Sequence, residues 1–230
     1  MSGQQVAAAA GAAVLAALLA WIAPRVVVAL PEPEEPAEDK SAYAELGAAT
    51  GLGPRLAAVA ALAAAGVGLV LGIDGVVAVW VYVCAVGTVL AYVDWHTKLL
   101  PFRLVAPSYV IVAVLVALAA LVEGDGDVLV RASAGWLLAF GAFVLMWLVY
   151  SKGIGYGDVR LSGVLGMALG AVGWQELLVG MYAGFVFGAV GGGLLSLARK
   201  VDRTGYPFGP FMVFGAWFGV VSGPLLAGWF

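Results

Sequence analysis

A chain of 230 residues that is 63% hydrophobic and 11% charged, with a mean hydropathy of +1.05, has too little polar surface to cover a water-soluble globule. Lipid must be its main solvent, so the expected class is all-α: a polytopic membrane helix bundle. The net charge of −3 comes with no basic stretch, which argues against a nucleic-acid partner, and the single cysteine, Cys84, excludes an intrachain disulfide and reads as a small packing residue.

A bilayer core takes roughly 20 apolar residues per helix, which gives about eight spans. The first, 6–30, lacks a basic leader and runs on through Arg25, so it reads as a retained helix rather than a cleaved signal. Residues 31–55 form a loop in which Glu32, Glu34, Glu35, Glu38 and Asp39 crowd among prolines, too polar to pack. Its charge suits long-range attraction of basic peptides, and a merely solvated linker explains it equally well. Spans 56–73 and 75–93 follow, joined at Asp74 between Gly72 and Gly75 as a tight turn. The apolar run Val76–Val93 ends directly in Asp94, then Trp95-His96-Thr97-Lys98-Leu99-Leu100-Pro101. Spans 104–122 and 132–151 flank an outer loop carrying Glu123, Asp125 and Asp127. Gly153-Ile154-Gly155-Tyr156-Gly157-Asp158-Val159-Arg160 leads into 160–174, the shortest and most glycine-rich span, and 176–198 and 210–230 complete the set. The expected organisation is a first helix (1–30), an acidic loop (31–55) and a main membrane domain (56–230).

This topology sets Arg25, Lys40, Arg55, Lys98, Arg103, Lys152, Arg160, Arg199, Lys200 and Arg203 at one face and Arg131 at the other. Positive residues mark the cytoplasmic side, so both termini are expected to face outward. Losing or merging one helix would scramble the later loops across both faces.

Most acids have ordinary explanations in loops. Asp94 and Asp158 differ, because each lies where an apolar run meets the cytoplasmic boundary, and an ionisable group there is a functional candidate or a carboxylate reaching for water. Gly155 and Gly157 let backbone approach closely beside Asp158. Two neighbouring carboxyls that share one proton supply a base for water and an acid for a scissile carbonyl together, because like charges split their titration. One Asp alone does not. Both fall on the same face of the topology.

Gly155-Tyr156-Gly157-Asp158 with a basic residue at 160 resembles the GxGD motif of the type IV prepilin peptidase family. Asp94 with Leu100-Pro101 is similar to that family's first aspartate and downstream Leu-Pro, and Tyr206-Pro207-Phe208-Gly209-Pro210 to its Pro-Phe-Gly-Pro segment. The resemblance covers roughly 56–230. It implies a bacterial inner-membrane aspartyl endopeptidase with Asp94 and Asp158 catalytic, Gly155 and Gly157 shaping the backbone, and no metal. Its substrates would be prepilins or pseudopilins, cut on the cytoplasmic side between a basic leader and a hydrophobic helix. Presenilin-like enzymes share GxGD, but their Pro-Ala-Leu motif is absent here. Many members carry two Cys-x-x-Cys pairs in the loop after the first helix and methylate the new N-terminus. This loop has no cysteine, so a four-cysteine zinc site is impossible. That counts against methylation by S-adenosylmethionine, although the cysteines need not be the methyl-transfer residues. Phe102 and Arg160 stand where the family often has an acid and a lysine.

His96 reads as an interfacial polar residue sooner than a tuner of Asp94. Lys98, Arg103 and Lys152 read as positive-inside anchors, and Arg160 as a further one close enough to favour ionised Asp158. Trp80, Trp95, Trp147 and Trp174 suit interfacial belts or helix packing. A rival function is a proton-coupled membrane transporter, marked by acids near the midplane or an inverted repeat, neither of which is evident. An inactive chaperone of pilin assembly is a second rival.

Overall fold

A computed structural model describes residues 2–32, 41–151, 153–197 and 206–226. Helices form all its regular structure among those residues. The acids Glu34, Glu35, Glu38 and Asp39, with Lys40, Lys152, Arg199, Lys200, Asp202 and Arg203, lie outside them.

The expected first span divides into α1 (Gly3–Trp21) and α2 (Ala23–Val28). Pro24 has no N–H to continue the ladder, and Arg25 N–H turns instead to Ile22 O at 3.1 Å. The expected solvated loop contains a packed element, α3 (Tyr43–Gly47), whose Tyr43 and Leu46 are buried. It stands close against α2, since a Cβ on Gly47 would lie 2.8 Å from Pro24 O.

α4 (Leu52–Leu71) and α5 (Val77–Thr97) are joined as the sequence suggests. Asp74 Oδ1 accepts the N–H of Val76 at 2.7 Å, closing the tight turn. α5 runs past its expected end at Val93, because Thr97 and Lys98 still complete helical turns and the chain leaves through Lys98 at φ 53°. Asp94 therefore sits inside the last turn of α5, 4% exposed, rather than at a solvated helix end. Pro101 opens α6 (Phe102–Glu123), followed by α7 (Asp127–Val149).

α8 (Tyr156–Val172) begins four residues before its expected start, which puts Gly157 and Asp158 in its first turn and makes Gly155 its N-cap. It is the most enclosed helix of the bundle, touching α5, α6 and α7 as well as α9 (Trp174–Leu197) and α10 (Gly209–Leu226). Among the described residues six helical segments are long and apolar enough to cross a membrane, and the shorter α8 and α10 complete the polytopic bundle.

Lipid tails are as apolar as leucine, so helices here associate through close packing rather than solvent exclusion. Three pairs show it. Gly68 of α4 faces the Ala9 backbone of α1, where a Cβ would meet Cα at 2.7 Å. Gly135 of α7 faces Gly166 of α8 backbone to backbone, and Gly215 and Gly219 of α10 face Gly184 and Gly180 of α9.

Candidate active site

Asp94 and Asp158 come from helices that meet at one end of the bundle, and Leu100 is the piece that registers them. A Cβ on Gly157 would lie 2.9 Å from Leu100 Cβ, and one on Gly209 would lie 3.3 Å from Leu100 Cδ2. A methyl group at either glycine would force its neighbours to shift. The Leu-Pro bend after α5 is thus wedged between the first turn of α8 and the first residue of α10, and the three sequence motifs converge there.

Each carboxylate accepts a backbone N–H. Asp158 Oδ2 takes the N–H of Gly155 at 3.1 Å, the acidic half of a capping box, where the exposed N–H groups of a helix start favour negative charge. Asp94 Oδ2 takes the N–H of Gly209 at 2.9 Å, across 115 residues of sequence. A Cβ on Gly209 would stand 2.8 Å from that same oxygen. The charges of Asp94 and Asp158 bear on one another across this space. Gly155 gives its N–H to Asp158, and Gly157 stands in close contact with Leu100.

Two tyrosines lie near the carboxylates: Tyr206, which the sequence marks only as part of a motif, and Tyr43, which it does not mark at all. Burial and the charge of Asp158 hold the Tyr206 hydroxyl above its usual range. Tyr43 of α3 is raised by burial, then by Glu32 and by Asp94. Nothing in a polar, proline-rich stretch announces that Tyr43 will reach α5. The tie is tertiary: Tyr92 donates its hydroxyl to Leu46 O at 3.4 Å, fastening α3 to the last turns of α5. Phe208 anchors the segment before α10 among Phe143, Phe185 and Tyr206, with ring centroids 6.3, 5.7 and 6.4 Å away.

Arg160 does not partner Asp158 by an ion pair among the described residues. Its guanidinium lies between the rings of Phe102 and Tyr156, 4.6 and 4.5 Å from their centroids, a cation–π sandwich. The two departures at 102 and 160 thus belong together. His96 is exposed, packs its ring against Tyr92 with centroids 4.5 Å apart and planes tilted by 50°, and places Nδ1 2.8 Å from Tyr92 O, which suits an interfacial residue. Among the described residues no three His, Cys, Asp or Glu side chains gather as a metal-ligand set. The two carboxylates lie at the same end of the bundle, Asp158 accepting the N–H of its own helix cap and Asp94 that of the first residue of α10.

A family model described as the type IV leader peptidase family matches residues 80–193, which include Asp94, Leu100, Gly155, Gly157 and Asp158. The chain is 37% identical over 107 residues to leader peptidase HopD of Escherichia coli, covering 44% of this chain and 68% of that one. The chain belongs to the type IV leader peptidase family. Other members resemble it over a smaller share of their length. The prepilin leader peptidase/N-methyltransferase of Aeromonas salmonicida (strain A449) is 32% identical over 107 residues, 46% of this chain and 36% of its own. The protein of that name from Escherichia coli K12 is 30% identical over 141 residues, 60% of each chain. This family member spans between about a third and a half of the length of its Aeromonas, Stutzerimonas and Pseudomonas relatives. No solved structure matches it.

Proposed function

We propose that this leader peptidase family member is an aspartic endopeptidase. It hydrolyses the bond between the basic leader and the hydrophobic helix of type IV prepilins or pseudopilins, at the cytoplasmic face of the bacterial inner membrane. The observation that carries the reading is the convergence of Asp94 and Asp158 around Leu100, each aimed by a backbone N–H.

In the reaction one carboxyl is ionised and the other protonated. The ionised group takes a proton from water as its oxygen attacks the scissile carbonyl carbon, and the protonated one donates to the carbonyl oxygen. Collapse of the tetrahedral species breaks the C–N bond as the group that gained the water proton delivers it to the leaving amine and the other carboxylate takes back a hydroxyl proton, which leaves a carboxylic acid and an amine. Coupled carboxyls titrate as a pair, so either can begin as the base. This step uses two acids and one water and calls on no metal and no S-adenosylmethionine. The methyl transfer in the relatives' names is said of those longer proteins, and the present reading covers the peptidase step. The basic residues flanking the Asp94 end support a cytoplasmic orientation by the positive-inside rule.

The test is leader removal from a co-expressed prepilin, followed as a gel shift with the full chain in membranes or detergent. Asp94→Asn and Asp158→Asn are each expected to abolish the shift while the protein remains folded in the membrane. Undiminished cleavage by either would remove the dyad.

A further inference from the structure

On the lipid-facing side of Asp94 the bundle carries a groove of about 380 Å³ between α4, α5 and α10. Its walls include Leu62, Thr88, Ala91, Pro210, Phe214 and Trp217. Two features tie it to the catalytic end. Ala91 and Thr88 lie three and six residues before Asp94 on α5, about 4.5 and 9 Å along the helix axis. Pro210 directly follows Gly209, whose N–H holds Asp94. The groove thus begins one helical turn from the carboxylate and runs along α5 away from it.

Its polar atoms are already committed. Trp217 donates its indole N–H to Ala63 O at 2.9 Å, and Thr88 donates its hydroxyl to Cys84 O at 2.7 Å. Trp217 is wedged against Gly66, where a Cβ would lie 3.3 Å from its ring, and stacks with Phe214 at 5.5 Å and 27°. The result is a fixed, aromatic-walled trough that offers only apolar contact. Close packing against such a wall is what holds helices together in lipid.

We propose that this groove receives the first turns of the substrate's apolar helix, immediately C-terminal to the scissile bond. The proposal rests on the peptidase reading. A helix whose cleaved bond lies at Asp94 and Asp158 and which stays in the bilayer must run down the outside of the bundle, and this groove supplies an apolar trough that begins about one helical turn from Asp94 along α5. Large side chains on one face of its first two turns pack on Phe214 and Trp217, which aligns the peptide bond above them with the carboxylates.

The experiment uses the full chain carrying Asp158→Asn, co-expressed in membranes with a type IV prepilin that keeps its leader. p-Benzoylphenylalanine is incorporated either at Phe214 or, as control, at Leu137, which is exposed on α7. Irradiation is expected to give a prepilin adduct at Phe214 about tenfold above that at Leu137, mapped by mass spectrometry to the first two turns of the apolar helix. Phospholipid adducts alone at Phe214, or equal prepilin adducts at both positions, would overturn the proposal. A second arm uses the catalytically intact chain, where Ala91→Trp fills the trough. The kcat/KM for the prepilin should fall about tenfold, because both the contact and the alignment it gives are lost. An unmoved kcat/KM would also overturn it. Failure of the peptidase reading is read separately, as wild-type chain leaving the prepilin uncut, and the cross-link pattern still decides whether the groove takes the helix.

Discussion

Gly209→Ala puts a single methyl group where it tests the alignment of the dyad. The added Cβ would stand 2.8 Å from Asp94 Oδ2, about 0.6 Å inside ordinary contact, and 3.3 Å from Leu100 Cδ2. Leu100 can yield by a small rotation. The carboxylate cannot yield without stretching its 2.9 Å bond to the Gly209 N–H toward about 3.5 Å, the limit of a hydrogen bond. Its φ is not in the left-handed region, so alanine brings no backbone strain. The effect is confined to the position of Asp94. Displacements approaching 1 Å in a catalytic group cost up to about a hundredfold in rate, so kcat for leader removal should fall by roughly tenfold to a hundredfold, with KM little changed. The assay is the leader gel shift under initial-rate conditions, beside Gly193→Ala, whose Cβ would meet nothing within 4 Å. Wild-type kcat in Gly209→Ala would show that the alignment of Asp94 by α10 has no part in the chemistry.

The bundle and the dyad make two further claims. Gly215→Val places two methyl groups against the Gly184 backbone, which cannot rotate away, so α10 must separate from α9; a lower thermal midpoint in detergent, corresponding to about 1–3 kcal/mol or more, is expected, and an unchanged midpoint would refute the close seam. Cleavage should follow a bell-shaped pH profile, because acid protonates both carboxyls and removes the base, whereas alkali ionises both and removes the acid. Initial rates across pH measure it, and a rate that climbs to a plateau without falling would exclude a shared proton.

The helices were legible because lipid demands long apolar runs, and their ends were misjudged where polar residues continue a helix. Asp94 illustrates this. Hydropathy stops at Val93, but the hydrogen-bond ladder does not, since Trp95, His96 and Thr97 extend α5 at little cost once the end of the bundle is near water. The same happens at α8, whose first turn is Tyr156-Gly157-Asp158 and reads as loop by composition. The carboxylate pair was legible as residue types and as a shared face. Its registration was not: a backbone N–H such as that of Gly209 carries no signature in sequence, and Leu100 earns its place only by touching two glycines from distant segments. α3 was missed for a related reason, because five residues are too few for periodicity to show.

The two carboxylates are held in different ways, and the difference bears on how the site is assembled. Asp158 is held locally, by an N–H three residues earlier at the start of α8. Asp94 is fixed by α10, the last helix described, and its loop partner Leu100 must also fit between Gly157 and Gly209. The complete pair therefore exists only once α10 has docked through its glycine seam on α9. Asp94 thus takes its orientation from α10, and undocking α10 from α9 would loosen the proposed pair.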